Sequence, residues 1–425
     1  MSRFCLPTLA LGCAIGLIAA PSLPAALVGL GQLAQVSLQQ LSGGAAHVTD
    51  FLNLYAAISL LTSQPSLLYD PSSVDLLQRQ LSSGASANLP FLSAPAAAIS
   101  LAPLGALDYG HAYALWLALN CACLVASVLL LAPGRRGLWL LGLPLVLPAQ
   151  FGLIMGQSAP LALLAFCLFV RLSAHPRWSG LILGLSPFAW KPQFLASLLP
   201  ALAAARRWSS LAWALAAPLA FAELALALGG PRLIADYRAQ SVENWHLVSS
   251  RVAYQQSGES LLGVFQVLGQ PGPLADSLYI VSGLAIEAVL VWLWWRGLRT
   301  DSARYLQLAA LPIAAVLVAP HALVYELTTW LASAWLLLAY AERRPACRPA
   351  VVGLCLVGWA AANVVTVTER ELSFPYAAIV GLAALGLIAW LLGSHASAPR
   401  PITATPRAPA AAGAFWRPLK NVSRL

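Results

Sequence analysis

The chain has 425 residues, of which 60% are hydrophobic and only 9% charged. A soluble domain carries about 25% charged residues, so a water-soluble globule is excluded. The apolar runs are continuous and rich in Leu and Ala, which excludes the alternating pattern of a membrane β-barrel. The net charge of +9 is a question of location: most of the Lys and Arg residues fall in loops that the positive-inside rule assigns to the cytoplasm. They therefore give no case for a nucleic-acid partner. The acids, among them Asp50, Asp70, Asp108 and Glu259, gather on the exterior side.

Arg3 and the apolar run Leu6–Leu30 read as a signal peptide or a first transmembrane helix. The run exceeds the 7–15-residue apolar core of a signal peptide, which favours an uncleaved anchor. Residues 31–94 form a first exterior loop, polar and rich in Ser and Gln. Within it a short helix is predicted over Asp50–Thr62, with Thr49 or Asp50 as its N-cap. Pro65, Pro71 and Pro90 punctuate the rest. Residues 95–107 are apolar but short and broken by Pro95 and Pro103, as suits a re-entrant or interfacial segment. A full span follows at 110–132, ending at Pro133-Gly134-Arg135-Arg136.

The next spans, 138–151, 158–172, 179–189 and 192–205, are short. They suit half-helices buried within protein, where broken backbone is tolerated. Gln157 and Lys191 sit at their exterior turns. After a full span at 209–228 comes a second exterior loop, 230–274, with two possible helices and the aromatics Tyr237, Trp245 and Tyr254. Spans then run at 277–297, 305–320, 323–341, 349–367 and 376–393, and residues 394–425 read as a disordered basic cytoplasmic tail. The fold class is all-α: one polytopic bundle over 1–393 of about 10–12 transmembrane or half-spanning helices, with both termini in the cytoplasm. No cysteine lies in an exterior loop, so no disulfide framework is expected. Neither a Walker A nor a GxGxxG pattern occurs, and no His, Cys or carboxylate spacing suits zinc.

Charged residues beside membrane spans are costly and mark candidate sites. Here they cluster near exterior ends, which predicts one polar cavity at the outer surface. Asp50 shares a helical face with Asn53 and Leu54; its carboxylate is either a general base or a helix cap. Lys191, in Trp190-Lys191-Pro192-Gln193, is either a compact cation for a phosphate or a snorkelling side chain. His321 follows Pro320 and stands four residues before Tyr325, so the two share a helical face. The His either binds a phosphate or orients a base, or the pair belongs to an interfacial belt. Gln157, in Gly156-Gln157-Ser158, is a polar tip or an ordinary turn. Glu223 and Glu287 lie within apolar runs, neutral or paired inside the bundle.

An ordered set of motifs now stands out between about residues 45 and 330. They are Asp50-Phe51-x-x-x-Tyr55-x-Ala57, Leu68-Tyr69-Asp70-Pro71, Pro103-Leu104-Gly105 with Trp116, Gly156-Gln157-Ser158, Gly180 through Lys191-Pro192-Gln193, Arg206-Arg207-Trp208, Ser260-Leu261 and Pro320-His321-x-x-x-Tyr325. The set resembles glycosyltransferase family 87, of the GT-C superfamily of enzymes that use polyprenyl-phosphate sugars. There are two departures. The family often has Tyr-Pro-Pro where this chain has Phe91-Leu92-Ser93-Ala94-Pro95, and an Asp where this chain has Glu326.

The resemblance implies a GT-C-like bundle in the plasma (inner) membrane. It would move a hexose, often mannose, with inversion, from a polyprenyl-phosphate-linked donor to a lipid or glycan acceptor on the exterior or periplasmic face. By analogy Asp50 would deprotonate the acceptor hydroxyl, and His321 and Lys191 would hold the donor phosphate, supplying the positive field without a metal or cofactor. Tyr55, Asn53, Gln157, Gln193, Tyr325 and Glu326 would shape the sugar or acceptor pocket. Two other readings compete. A transporter or lipid flippase should carry polar groups deep in its spans, often with inverted repeats. A non-catalytic assembly protein would use Asp50 and His321 structurally.

Overall fold

The computed structural model describes residues 23–40, 49–84, 89–250, 258–269, 271–295, 301–368 and 375–396. Those residues are helical apart from turns, and no strand occurs among them; one isolated bridge joins Gly258 to Leu323. The helices are α1 (23–40), α2 (Asp50–Ser63), α3 (Pro71–Leu81), α4 (Pro95–Leu101), α5 (Tyr109–Leu131), α6 (Arg136–Gly142), α7 (Leu147–Met155), α8 (Ala159–Arg171) and α9 (Pro176–Leu185). They continue as α10 (Pro187–Trp190), α11 (Pro192–Ala204), α12 (Trp208–Ser250), α13 (Leu261–Gly269), α14 (Pro273–Trp295), α15 (Asp301–Val318), α16 (Trp330–Arg343), α17 (Arg348–Thr368) and α18 (Tyr376–Ala396). A 3₁₀ helix, Val324–Thr329, precedes α16.

Proline sets many of the starts. It has no amide hydrogen to lose and its φ already suits the first turn, and it opens α3, α4, α9, α10, α11 and α14. Asp70 caps α3, accepting from the Ser73 amide at 2.8 Å, and Asp108 caps α5.

Among the described residues five helices are long and apolar enough to cross a membrane: Tyr109–Leu131, Trp208–His246, Pro273–Trp295, Pro345–Val367 and Tyr376–Gly393. A bent pair, Arg136–Leu145 and Leu147–Met155, meets at 64° and is either a broken span or a re-entrant loop. Four shorter apolar helices, Pro95–Ala106, Ala159–Arg171, Pro192–Ala204 and Ser302–Val318, pack among them. The chain is an all-α polytopic membrane protein.

Several boundaries differ from the sequence reading. Residues 31–40, expected as loop, continue α1. The helices expected in the second loop are the far half of α12, after a backbone break at Gly230 (φ +70°), and α13. The span expected at 323–341 is divided between the 3₁₀ turn and α16. Most of the first expected span, the tail beyond 396 and Tyr254 lie outside the described residues.

Lipid is as apolar as Leu, so membrane helices associate through close packing rather than water exclusion. Gly180 and Gly184, one turn apart on α9, show how. A Cβ on either would come within 2.1 Å of the Ser210 carbonyl oxygen or 2.8 Å of that of Ala214, both on α12. Two hydrophobic clusters result. The larger gathers Phe166, Phe169, Trp294, Tyr305 and Trp335 from α8, α14, α15 and α16. The smaller gathers Phe51, Tyr69, Phe91, Tyr113, Trp116 and Trp190. Where they meet, three chain breaks bring polar side chains together.

Candidate active site

The first break is the turn between α7 and α8. Gly156 ends α7 in the left-handed region (φ +69°), which glycine enters without penalty. A Cβ there would lie 2.5 Å from the Phe51 Cβ. That close approach sets the first turn of α2 against the turn, with Asp50 beside Gln157. The aromatic cluster fixes both sides. Phe51 packs on Tyr109, Tyr113 and Trp116 of α5, with ring centroids 5.6 to 6.2 Å away. Trp116 Nε1 donates to the Gly156 carbonyl at 2.8 Å.

The second break is between α10 and α11. Pro187 and Pro192 each start a helix and leave Lys191 alone at the joint. The Ala94 amide donates to the Trp190 carbonyl at 2.9 Å, so the stretch Phe91–Pro95 lies directly against this joint. The third break is the segment Ala319–Leu323, followed by the 3₁₀ turn that carries Tyr325 and Glu326. Phe151 of α7 stacks on Tyr325 with centroids 6.3 Å apart.

A single polar chain joins the three. Gln157 Nε2 donates to Asp50 Oδ2 at 2.5 Å. Lys191 Nζ donates to Gln157 Oε1 at 3.3 Å and is ion-paired with Glu326 Oε1. The same ammonium sits 5.2 Å from the centre of the Tyr325 ring. The Lys191 side chain is 20% exposed and that of Glu326 5%, so the pair faces a pocket rather than open water. Ser158, Phe188, Phe194 and Thr329 line that pocket with them.

Burial raises the Asp50 carboxyl above its ordinary value, against the opposing hydrogen bond of Gln157 and the charge of Lys191. Asp50 makes no cap bond, since Thr49 holds the N-cap position; the cap reading gives way to a carboxylate bonded by a distant glutamine. His321 lies in the turn, not on a helix, so the shared helical face expected with Tyr325 does not exist. Burial and the Lys191 ammonium push its pKa down to about 4. Its ring is neutral at pH 7, and Lys191 alone carries the charge expected of both.

Asp50, Gln157, Lys191, Tyr325 and Glu326 are thus assembled, with His321 in electrostatic reach of Lys191. Three expected pocket residues have no hydrogen bond to that polar chain among the described residues. Asn53 donates to the Pro90 carbonyl at 3.0 Å and accepts from Gln78 at 3.2 Å, which ties α2 to α3 and to the segment before α4. The Tyr55 hydroxyl donates to the Leu107 carbonyl at 2.6 Å. Gln193 is half-buried, and no hydrogen bond joins it to the described residues. One acid gains a place that sequence reasoning did not foresee. Glu259 is buried, and its amide donates to the Ala322 carbonyl at 2.7 Å, next to His321. Its position just ahead of an apolar helix was the only signal. Among the described residues no group of three or more His, Cys, Asp or Glu side chains is placed to hold a metal ion.

The family model for glycosyltransferase family 87 matches residues 91–320, more than half of the chain. The protein is a member of glycosyltransferase family 87. The match covers Gln157, Lys191 and the proline-broken helices of the site; it starts after Asp50 and stops one residue before His321. Comparison with curated proteins and with solved structures gave no match. Membership makes this family 87 protein a membrane glycosyltransferase, which has a sugar donor and an acceptor.

Proposed function

We propose that this glycosyltransferase moves a hexose, mannose in the first instance, from a polyprenyl-phosphate-linked donor to a hydroxyl of a lipid or glycan acceptor. The transfer inverts the anomeric centre and takes place at the exterior face of the plasma membrane. The observation that carries the reading is the chain from Asp50 through Gln157 to Lys191 and Glu326. It offers a carboxylate and a cation at one place, the two charges that such a transfer needs.

Asp50 takes the proton from the acceptor hydroxyl as its oxygen attacks the anomeric carbon. The bond from that carbon to the phosphate oxygen breaks on the opposite side, and the phosphate leaves with the bonding pair. Lys191 stabilises the charge that develops there, and a partly enclosed cation is worth more than one in water. Neutral His321 adds a hydrogen bond. An apolar crevice between α16, α17 and α18 supports a lipid-linked donor, because Leu327, next to Glu326, forms part of its wall.

The test is transfer by purified protein in liposomes, with polyprenyl-phosphate-mannose as donor. Asp50→Asn abolishes transfer while insertion and monodispersity persist. Transfer that survives Asp50→Asn refutes the assignment of the base.

A further inference from the structure

We infer that Gln157 is a positioning residue for Asp50, which selects the oxygen that receives the proton and links the base to Lys191. The inference rests on the reading of Asp50 as base. The amide of Gln157 has two unlike ends, and each meets the charge that suits it. Nε2 donates to the Asp50 carboxylate and Oε1 accepts from the Lys191 ammonium. Turned over, the amide would set an acceptor against a carboxylate and a donor against an ammonium, so its two neighbours decide its orientation. The backbone beneath it is equally constrained: the Gln157 amide donates to the Gly152 carbonyl at 2.8 Å, and the Gly156 carbonyl holds Trp116.

Two consequences follow for the base. Oδ2 of Asp50 is occupied, and Oδ1 receives no hydrogen bond among the described residues, so Oδ1 is the oxygen that faces an acceptor hydroxyl. The hydrogen bond also favours the ionised form, offsetting part of the burial that opposes it. The other charged groups acting on Asp50 are Lys191, at the α10–α11 joint, and Glu326, in the 3₁₀ turn; Lys191 also acts on His321. A donor phosphate that engages Lys191 therefore reaches the base in two ways, by changing the Lys191 charge felt at Asp50 and through Gln157.

The experiment compares kcat, donor KM and the acidic limb of the kcat–pH profile in Gln157→Leu, Gln157→Glu and Asp50→Asn, using polyprenyl-phosphate-mannose. Gln157→Leu is expected to lower kcat on the order of 10²-fold, with donor KM changed far less, and to move the acidic limb to higher pH. Gln157→Glu keeps the side-chain volume and sets a second carboxylate against Asp50, so it moves the limb further in the same direction. It also serves if the Leu variant does not fold. An unmoved limb in both, or kcat within about twofold of the parent, overturns the inference. With Asp50→Asn inactive, that result leaves the base in place; an active Asp50→Asn removes the base itself.

Discussion

Replacing Gly156 by Ala probes how the base is held without touching any group that takes part in the chemistry. The residue is left-handed at φ +69°, where a side chain costs roughly 1–2 kcal/mol. The new Cβ would also lie 2.5 Å from that of Phe51, where ordinary contact begins at 3.4 Å. The closest atom is the Phe51 Cβ, with its Cα and Cγ at 3.5 Å, and the Cβ is fixed to the backbone, so rotation of the ring gives no relief. The α7–α8 turn and the first turn of α2 must part by about 1 Å, an overpacking cost of roughly 1–3 kcal/mol. The expected loss of stability is about 2–5 kcal/mol. Phe51 follows Asp50 and Gly156 precedes Gln157, so the same displacement opens their 2.5 Å hydrogen bond. A misplacement of about 1 Å in a reacting geometry costs about 10²-fold in rate. Thermal unfolding of detergent-purified protein, with transfer assayed in parallel, reads both effects. Gly353→Ala is the control, since nothing lies within 4 Å of a Cβ there. If Gly156→Ala matches that control in Tm and in kcat, the argument that this glycine sets Asp50 against Gln157 is wrong.

The ion pair of Lys191 and Glu326 makes a second prediction. Removing the cation with Lys191→Met leaves a carboxylate that is 5% exposed without its partner, a loss of about 3–5 kcal/mol. The double variant Lys191→Met/Glu326→Leu recovers most of that stability in thermal unfolding and stays inactive; a Met variant as stable as the parent would show that the pair carries no such coupling. The third prediction concerns pH. The folded carboxyl of Asp50 titrates above its unfolded value of about 3.9. Its contribution to stability is therefore full below that pH and is lost as pH rises through the folded pKa. Asp50→Asn is expected to raise Tm at pH 7, with the gain vanishing toward pH 3; a lower Tm at pH 7 contradicts the shift. Transfer has the opposite slope and rises with pH as the base loses its proton. His321, at about 4, adds no limb near pH 6.5.

The membrane class, the punctuation of the short helices and most helix positions were legible in the sequence because they are local. Apolar length needs no partner to be read. The helix that Pro192 opens starts where the sequence places it, and Asp50 opens its helix as the cap and apolar pattern predict, whereas the expected span 179–189 is broken before Pro187. The ordered motifs likewise pointed to the family over the segment where it is matched. Boundaries failed where packing overrides local signals, as at residues 31–40, which continue α1, and at His321, which stays in a turn before a 3₁₀ helix.

The roles within the site required the tertiary structure. From sequence, helical spacing sets Asn53 beside Asp50 and leaves Gln157 at a separate turn. In the fold, Asn53 is tied to Pro90 and Gln78, while Gln157, 107 residues away in the chain, bonds the carboxylate. The charge on His321 is likewise decided by burial and by Lys191. The sequence by itself determined which segments can lie in a membrane and which polar residues stand at their ends. Only the tertiary structure decided which of those residues meet and how each is charged, because hydrogen bonds and desolvation act between groups that are distant in the chain and close in space.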